Sequence, residues 1–422
     1  MRLLAILLAT SVALTSCAQT TREAMIADPL KCAGLYRPYP DSIGQQSPVP
    51  SGYAPFYVGH YGRHGSRYLG SDNEYFNVYN SFTESFRNNK LTDQGKSLWL
   101  SLNNIVWQAK GRGGQLAPLG YRQHRAIAGR MYKDCARAFD KDAKVTAVST
   151  TYMRCAHSMF AFVEKLRDLN PKLDIPMESG DREMSILSPL NDEAKEINRD
   201  GRFEPRIEAF RLSKIHPERF MSAIFIDPDD TSLDISAKDL MWRIYMIAID
   251  LPNLDTKENL FGYFTPDELF DLWQAFNYRY YTYHSVNPDS HGVFIESVKP
   301  LLKDFIDKAD AYIESGEHGA TLRFGHDSSV IPLAGLLQFP VASGREGDPD
   351  KLYKTYADWR VSPMASNIQM RLYRNKKGDI IAKFMLNEHD MPLPDTPTDI
   401  YPYYRWSDAR ATLQRLLDTP CK

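Results

Sequence analysis

The chain has 422 residues, 51 Lys plus Arg against 53 Asp plus Glu, 43% hydrophobic residues and 12% aromatics, a balance that excludes disordered and fibrous architectures. A formal net charge of −2 gives no global electrostatic reason to bind nucleic acid, so any affinity for anions has to come from a locally basic pocket. The length accommodates two or three structural units, or one large α/β domain carrying an insertion.

Met1 and Arg2 precede an apolar run from Leu3 to Leu14. The run is too short to span a bilayer and has the form of an export signal, expected over residues 1–16. Its end, Leu14-Thr15-Ser16-Cys17, resembles a bacterial lipobox, in which the cysteine is lipidated and becomes the first mature residue. The expectation is an exported protein held to the bacterial cell envelope by a lipid on Cys17, with no spanning segment. The other cysteines, Cys32, Cys135, Cys155 and Cys421, are even in number and lack the CxxC spacing of a zinc site. In an oxidising compartment two disulfides are expected, Cys135 with Cys155 and Cys32 with Cys421 being the pairing their positions suggest; free buried thiols are the alternative.

Residues 17–52, rich in Pro, Gly, Ser and Asp, read as an irregular arm. Phe56 to His60 reads as a short buried strand entering the turn Tyr61-Gly62-Arg63-His64-Gly65. Helical patterns follow at Asn73 to Phe86, at Asp93 to Trp107 with Thr92 as N-cap, and at Tyr121 to Phe139. A strand over Val145 to Val148 leads through Ser149-Thr150-Thr151 into a helix from Arg154 to Leu166. From about Ser188 to Asn287 the pattern is charged, aromatic and helical. Strand character returns at Ala320 to Phe324, followed by Gly325-His326-Asp327 and an apolar helix over Val330 to Leu337. Ile368 to Tyr373 and Ile380 to Leu386 flank a polar turn and predict a hairpin. The expected fold is α/β, a mostly parallel sheet flanked by helices, divided as 53–187 and 291–422 around a mainly helical cap at 188–290.

In open α/β sheets ligands sit beyond the carboxyl ends of the strands, where three of these turns place Arg63, His64 and Arg67, then Arg154, then His326 and Asp327. Arginine forks match phosphoryl oxygens and stay charged at any working pH. A central histidine can attack phosphorus and carry the group covalently, while a carboxylic acid protonates the departing oxygen. Arg154 opens a helix, where the dipole disfavours a cation, so a nearby anion is the economical account. The pair His60 and His64 lacks the helix that a metal pair at that spacing needs, and no metal is expected. His124, His157, His216, His284, His291 and His318 belong to no constellation. Arg199, Arg202, Arg206, Arg211 and Lys214 suit a polyanion, but their interspersed acids read better as a solvated amphipathic face.

Arg63-His64-Gly65-Ser66-Arg67 resembles the RHGxR signature of the histidine acid phosphatases, and Gly325-His326-Asp327 resembles their downstream HD element. Ser149 to Arg154 resembles the family's serine/threonine-rich strand end before a phosphate-binding arginine, and the likeness runs in order from about residue 53 to 390. The resemblance implies His64 as nucleophile, Asp327 as proton donor, Arg63, Arg67, Arg154 and His326 as phosphate ligands, and no cofactor. It is nearest to the phytases and multiple inositol polyphosphate phosphatases, through the hairpin and Leu386-Asn387-Glu388. Two departures are Leu69 where the family often has proline, and His326-Asp327-Ser328 where the inositol polyphosphatase branch commonly carries HAE. With the export signal read at the N-terminus, the resemblance implies an exported phosphomonoester hydrolase with a phosphohistidine intermediate. Inositol polyphosphates such as phytate lead as substrates, ahead of sugar phosphates and general phosphomonoesters. A lipoprotein that only captures phosphorylated ligands is the rival from another class.

Overall fold

The computed structural model describes residues 21–421; the expected export signal and Cys17 lie outside them. Eight strands form one mixed sheet: β1 Tyr53–Arg63, β2 Lys144–Ser149, β3 Met177–Ser179, β4 Gly319–Gly325, β5 Asn367–Asn375, β6 Ile380–Leu386, β7 His389–Met391 and β8 Tyr403–Arg405. The order is β3-β2-β4-β1-β5-β6-β7, with β8 also paired to β6. The β3, β2, β4 and β1 strands run parallel, and β5 pairs antiparallel with both β1 and β6. The expected α/β class and hairpin are both present.

Register decides where the chemistry sits. Arg63 lies opposite Gly325 and Ser149 opposite Phe324, so the three parallel strands that carry the motifs end side by side. The pleat sends Tyr57 and Tyr61 of β1 into one apolar cluster and Val58 into another. The second cluster is filled from the helices Pro118–Asp134 and Met153–Leu169 by Ile127, Met131, Phe162 and Leu166. The first takes Leu301, Phe305 and Leu333 from the helices Lys299–Ser315 and Asp327–Leu336. It continues into the helical segment through Ile244 and Trp273. A sheet buried on both faces explains why β4, from Gly319 to Gly325, has no exposed position.

Two helix starts follow directly from their sequence. The Thr92 hydroxyl accepts the Gly95 amide at 3.1 Å to start Asp93–Ala109. Thr265 and Glu268 form a reciprocal capping box at the head of Pro266–His284. Between residues 188 and 290 the regular structure is helical, apart from an isolated bridge between Leu91 and Phe225.

Three expectations are corrected. The arm is irregular only in its second part: residues 21–27 are helical, Pro29–Tyr36 forms a 3-10 helix, Met25, Cys32, Leu35 and Tyr36 are buried, and residues 37–52 carry no helix or strand. Burying each large apolar side chain contributes about 1.5–3 kcal/mol, which seats the segment firmly. The helix read to Phe139 stops at Asp134, and a short 3-10 turn follows over Ala136–Phe139. The cysteines are free thiols. Cys135 and Cys155 stand at opposite ends of β2, a strand of roughly 20 Å, whereas a disulfide needs its Cα atoms within about 7 Å. Cys32 packs in the arm, where its carbonyl accepts the Tyr245 hydroxyl, while Cys421 lies beside Glu296.

Unfolding in denaturant is therefore expected to be indifferent to dithiothreitol. Alkylation of denatured, never-reduced protein should label Cys32, Cys135, Cys155 and Cys421, and mass spectrometry finding any two of them linked would contradict the fold as described.

Candidate active site

The turn after β1 is shaped by close packing. A Cβ on Gly65 would lie 2.6 Å from the Gly120 Cα, so this position admits only glycine without displacing the helix Pro118–Asp134. Ser66 locks the same turn: its amide donates to Gln123 Oε1 at 2.8 Å and its hydroxyl to Asn253 Oδ1 at 2.7 Å. The His64 amide donates to the Gly325 carbonyl at 2.9 Å, and its own carbonyl accepts the Ala365 amide at 3.0 Å. The nucleophile candidate is thus pinned between β4 and the entrance to β5.

His64 is 2% exposed. Its Nδ1 lies 3.0 Å from the Gly65 carbonyl, an acceptor only, so Nδ1 carries the proton and Nε2 keeps a free lone pair. Burial, reinforced by Arg63, Arg67, Arg154 and His326, holds the imidazole pKa well below its ordinary value. Both effects favour the neutral ring. The His326 ring stands edge-on to it with centroids 5.7 Å apart.

Arg63 is 1% exposed. Its Nη1 donates to the Leu35 and Ser362 carbonyls at 2.7 Å each, and its Nη2 meets Asp327 Oδ2 at 2.9 Å. Arg67 donates to the Tyr68 carbonyl and the Tyr36 hydroxyl. Arg154, in the first turn of Met153–Leu169, lies 4.8 Å over the exposed Tyr152 ring. The Nε atoms of all three arginines are buried with no partner. Three orphaned cationic donors around a neutral imidazole are an unsatisfied arrangement that a dianion completes.

His326 Nε2 is 3.2 Å from the Thr150 hydroxyl. The His326 amide donates to the Tyr61 hydroxyl, which in turn donates to the Leu187 carbonyl. Burial first, then Arg154, push the His326 pKa down to about 4, so it offers a hydrogen bond rather than a charge. Asp327 is the first residue of its helix, and the His326 side chain that precedes it makes no capping bond. Burial alone would raise the Asp327 pKa, but Arg63, His284, His326 and Arg67 outweigh this and lower it to about 2. The unliganded site therefore holds a carboxylate.

All six residues expected from sequence, Arg63, His64, Arg67, Arg154, His326 and Asp327, converge here. Sequence reasoning missed Leu35 and Tyr36, which hold two of the arginines from the arm, and His284, whose charge state is coupled to Asp327. Tyr152 was also missed; its ring edge meets His326 at 4.8 Å. The cap cations do not join the site: Arg199, Arg202, Arg206, Arg211 and Lys214 pair with Glu196, Asp200, Asp289, Glu208 and Asp350. Among the described residues no group of three His, Cys, Asp or Glu side chains is placed to hold a metal ion, and no helix is long and apolar enough to cross a membrane.

No protein-family model matches the chain, and no curated protein matches it by sequence. Solved structures do match by shape. The Bifidobacterium longum multiple inositol polyphosphate phosphatase, in complex with inositol hexasulfate, superposes with a TM-score of 0.77 over 91% of this chain and 97% of its own, at 17% identity. The chain has the fold of the histidine acid phosphatases. A phytase from D. castellii shares that fold with a TM-score of 0.68 over 92% of this chain and 85% of its own, at 13% identity. The Hafnia alvei phytase, in complex with myo-inositol hexakis sulphate, gives 0.51 over 89% of this chain and 100% of its own, also at 13% identity.

A cradle with three unpartnered guanidinium Nε donors should be stabilised by inorganic phosphate. At a concentration of about one hundred dissociation constants the gain is about 2.7 kcal/mol, read as a rise in unfolding temperature. Arg154→Ala should lose most of that rise while unfolding at nearly the parent temperature without phosphate. An equal phosphate effect in both proteins would place the anion elsewhere.

Proposed function

We propose that the protein is a phosphomonoester hydrolase that works through a phosphohistidine at His64, with inositol polyphosphates as its leading substrate class. The observation that carries this reading is the neutral His64 imidazole, held by Gly65 with Nε2 free inside a ring of Arg63, Arg67 and Arg154. Capture of a phosphate alone needs only the arginines; a desolvated nucleophile beside a carboxyl group is the equipment for transfer.

In the first step Nε2 attacks phosphorus, the ester P–O bond breaks, and the leaving alkoxide takes a proton from Asp327. In the second, water attacks phosphorus and gives its proton to the Asp327 carboxylate, and the P–N bond breaks to release inorganic phosphate and His64. The guanidinium groups carry the charge that spreads over the equatorial oxygens in both steps. Since Asp327 is ionised in the free site, the proton for the leaving group arrives with the substrate: a phosphomonoester monoanion binds, and the proton passes to Asp327 as the dianion settles among the arginines.

The fold shared with an inositol polyphosphate phosphatase and with phytases supports the substrate class. One observation favours a second reading, a broader phosphomonoesterase acting on sugar phosphates: Arg199, Arg202, Arg206, Arg211 and Lys214 of the cap each pair with a carboxylate and are not free for additional phosphates. From Met1, Leu3 to Leu14 and Cys17, we further propose that the enzyme works outside the cytoplasm, lipid-anchored to the cell envelope. Product analysis after parallel incubation with phytate, a sugar phosphate and an aryl phosphate decides between the two substrate readings.

Two outcomes test the chemistry. The kcat/KM should fall about tenfold per pH unit above about pH 6, the second pKa of a phosphomonoester, because the productive substrate is the monoanion; a flat profile from about pH 5 to 8 would contradict the proton's route. Asp327→Asn should lose roughly 100-fold or more on an alkyl phosphate and much less on nitrophenyl phosphate, whose leaving group needs no proton. A uniform loss on both would make Asp327 a structural partner of Arg63 and not the acid.

A further inference from the structure

Arg67 differs from Arg63 in how it is held. Its hydrogen bonds go to neutral oxygens, from Nη1 to the Tyr68 carbonyl at 2.7 Å and from Nη2 to the Tyr36 hydroxyl at 2.9 Å. Its Cζ also lies 5.0 Å from the centroid of the Tyr36 ring. Among the described residues no carboxylate lies within ion-pair distance of it, whereas Arg63 is paired with Asp327.

Tyr36 is itself fixed. It is 4% exposed, its ring meets Phe276 edge-on at 5.7 Å, and its carbonyl accepts Asn253 Nδ2 at 2.8 Å. Asn253 Oδ1 accepts the Ser66 hydroxyl, which also accepts Gln123 Nε2 at 2.9 Å. The residue before it, Leu35, donates its amide to buried Asp358 and accepts Arg63 through its carbonyl. The 3-10 segment ahead of β1 is thereby tied to the phosphate turn through two arginines and one asparagine.

We propose that Tyr36 is a positioning residue for phosphate recognition: its hydroxyl and ring face together fix the Arg67 guanidinium with its unpartnered Nε–H directed to the bound phosphoryl group. A neutral acceptor and an aromatic face orient a guanidinium without a direct ion pair, so its positive charge is not cancelled by contact, the carboxyl group that acts on it, buried Asp250, lying beyond ion-pair distance. A carboxylate in the same place would hold the fork as firmly but cancel that charge. The inference rests on the reading of Arg67 as a phosphate ligand.

The test compares inorganic phosphate as a competitive inhibitor, and KM and kcat with nitrophenyl phosphate, in the parent, Tyr36→Phe and Arg67→Lys proteins and in the double variant. Tyr36→Phe keeps the ring and the volume and loses only the acceptor. It should raise the phosphate inhibition constant and KM together by about five- to tenfold, with kcat within about threefold and the unfolding temperature nearly unchanged. In the Arg67→Lys background, where no fork remains to be oriented, the same change should shift the inhibition constant by less than about twofold. Parent-like inhibition of Tyr36→Phe, or an equal effect in both backgrounds, would overturn the role of Tyr36. A parent protein that neither binds phosphate nor turns over the ester would instead overturn the reading of the site itself.

Discussion

The ion pair between Arg63 and Asp327 ties the end of β1 to the head of the helix after β4, and most of the site depends on it. A guanidinium has five N–H groups. Here Nη1 serves the Leu35 and Ser362 carbonyls and Nη2 serves Asp327, leaving Nε and one Nη2 proton for a ligand. Because Arg63 is almost completely buried and Asp327 is mostly so, the pair is weakly screened by water. Arg63 is the largest of the charges that lower the carboxyl pKa, while burial, with the arginines, lowers the pKa of the neighbouring imidazoles. In the proposed mechanism a dianion arriving between the arginines would compete with Asp327 for the same charge and return the carboxyl group toward its protonated form when an acid is needed.

That pair requires a register. Arg63 stands opposite Gly325 in the parallel ladder, and a slip of one residue would turn the β1 and β4 side chains to opposite faces of the sheet. The register is secured on both sides, by the Gly325 carbonyl accepting the His64 amide and by the Ser366 carbonyl accepting the Arg63 amide. Glycine at 325 is enforced as well, since a Cβ there would collide with the Tyr61 hydroxyl that bonds the His326 backbone. The sheet thus positions the turns through backbone contacts, and the Nε atoms of Arg63, Arg67 and Arg154 are left without protein partners.

That the six candidate residues lie together is legible because each sits in a short contiguous motif at the end of a strand strong enough to read from its apolar run. Leu35 and Tyr36 are not legible, because their contacts are made across the fold by a segment whose Pro, Gly and Cys content mimics a loop. The three-residue strands β3, β7 and β8 are too short to show a period. The cysteines misled for a physical reason: an even count in an oxidising compartment speaks to redox chemistry, while the distance between Cys135 and Cys155 is set by a strand lying between them. The charge run from Arg199 to Lys214 was read correctly as mixed-sign, since each cation has found an acid.

Everything in the proposed mechanism turns on whether His64 carries the phosphoryl group. Rapid mixing of the enzyme with a labelled phosphomonoester, an alkaline quench that preserves the P–N bond, and peptide mapping by mass spectrometry test this directly. One acid-labile phosphate is expected on the peptide containing His64, and none in His64→Ala. Turnover with no label on that peptide, or an acid-stable label on a hydroxyl or carboxyl group elsewhere, would contradict it.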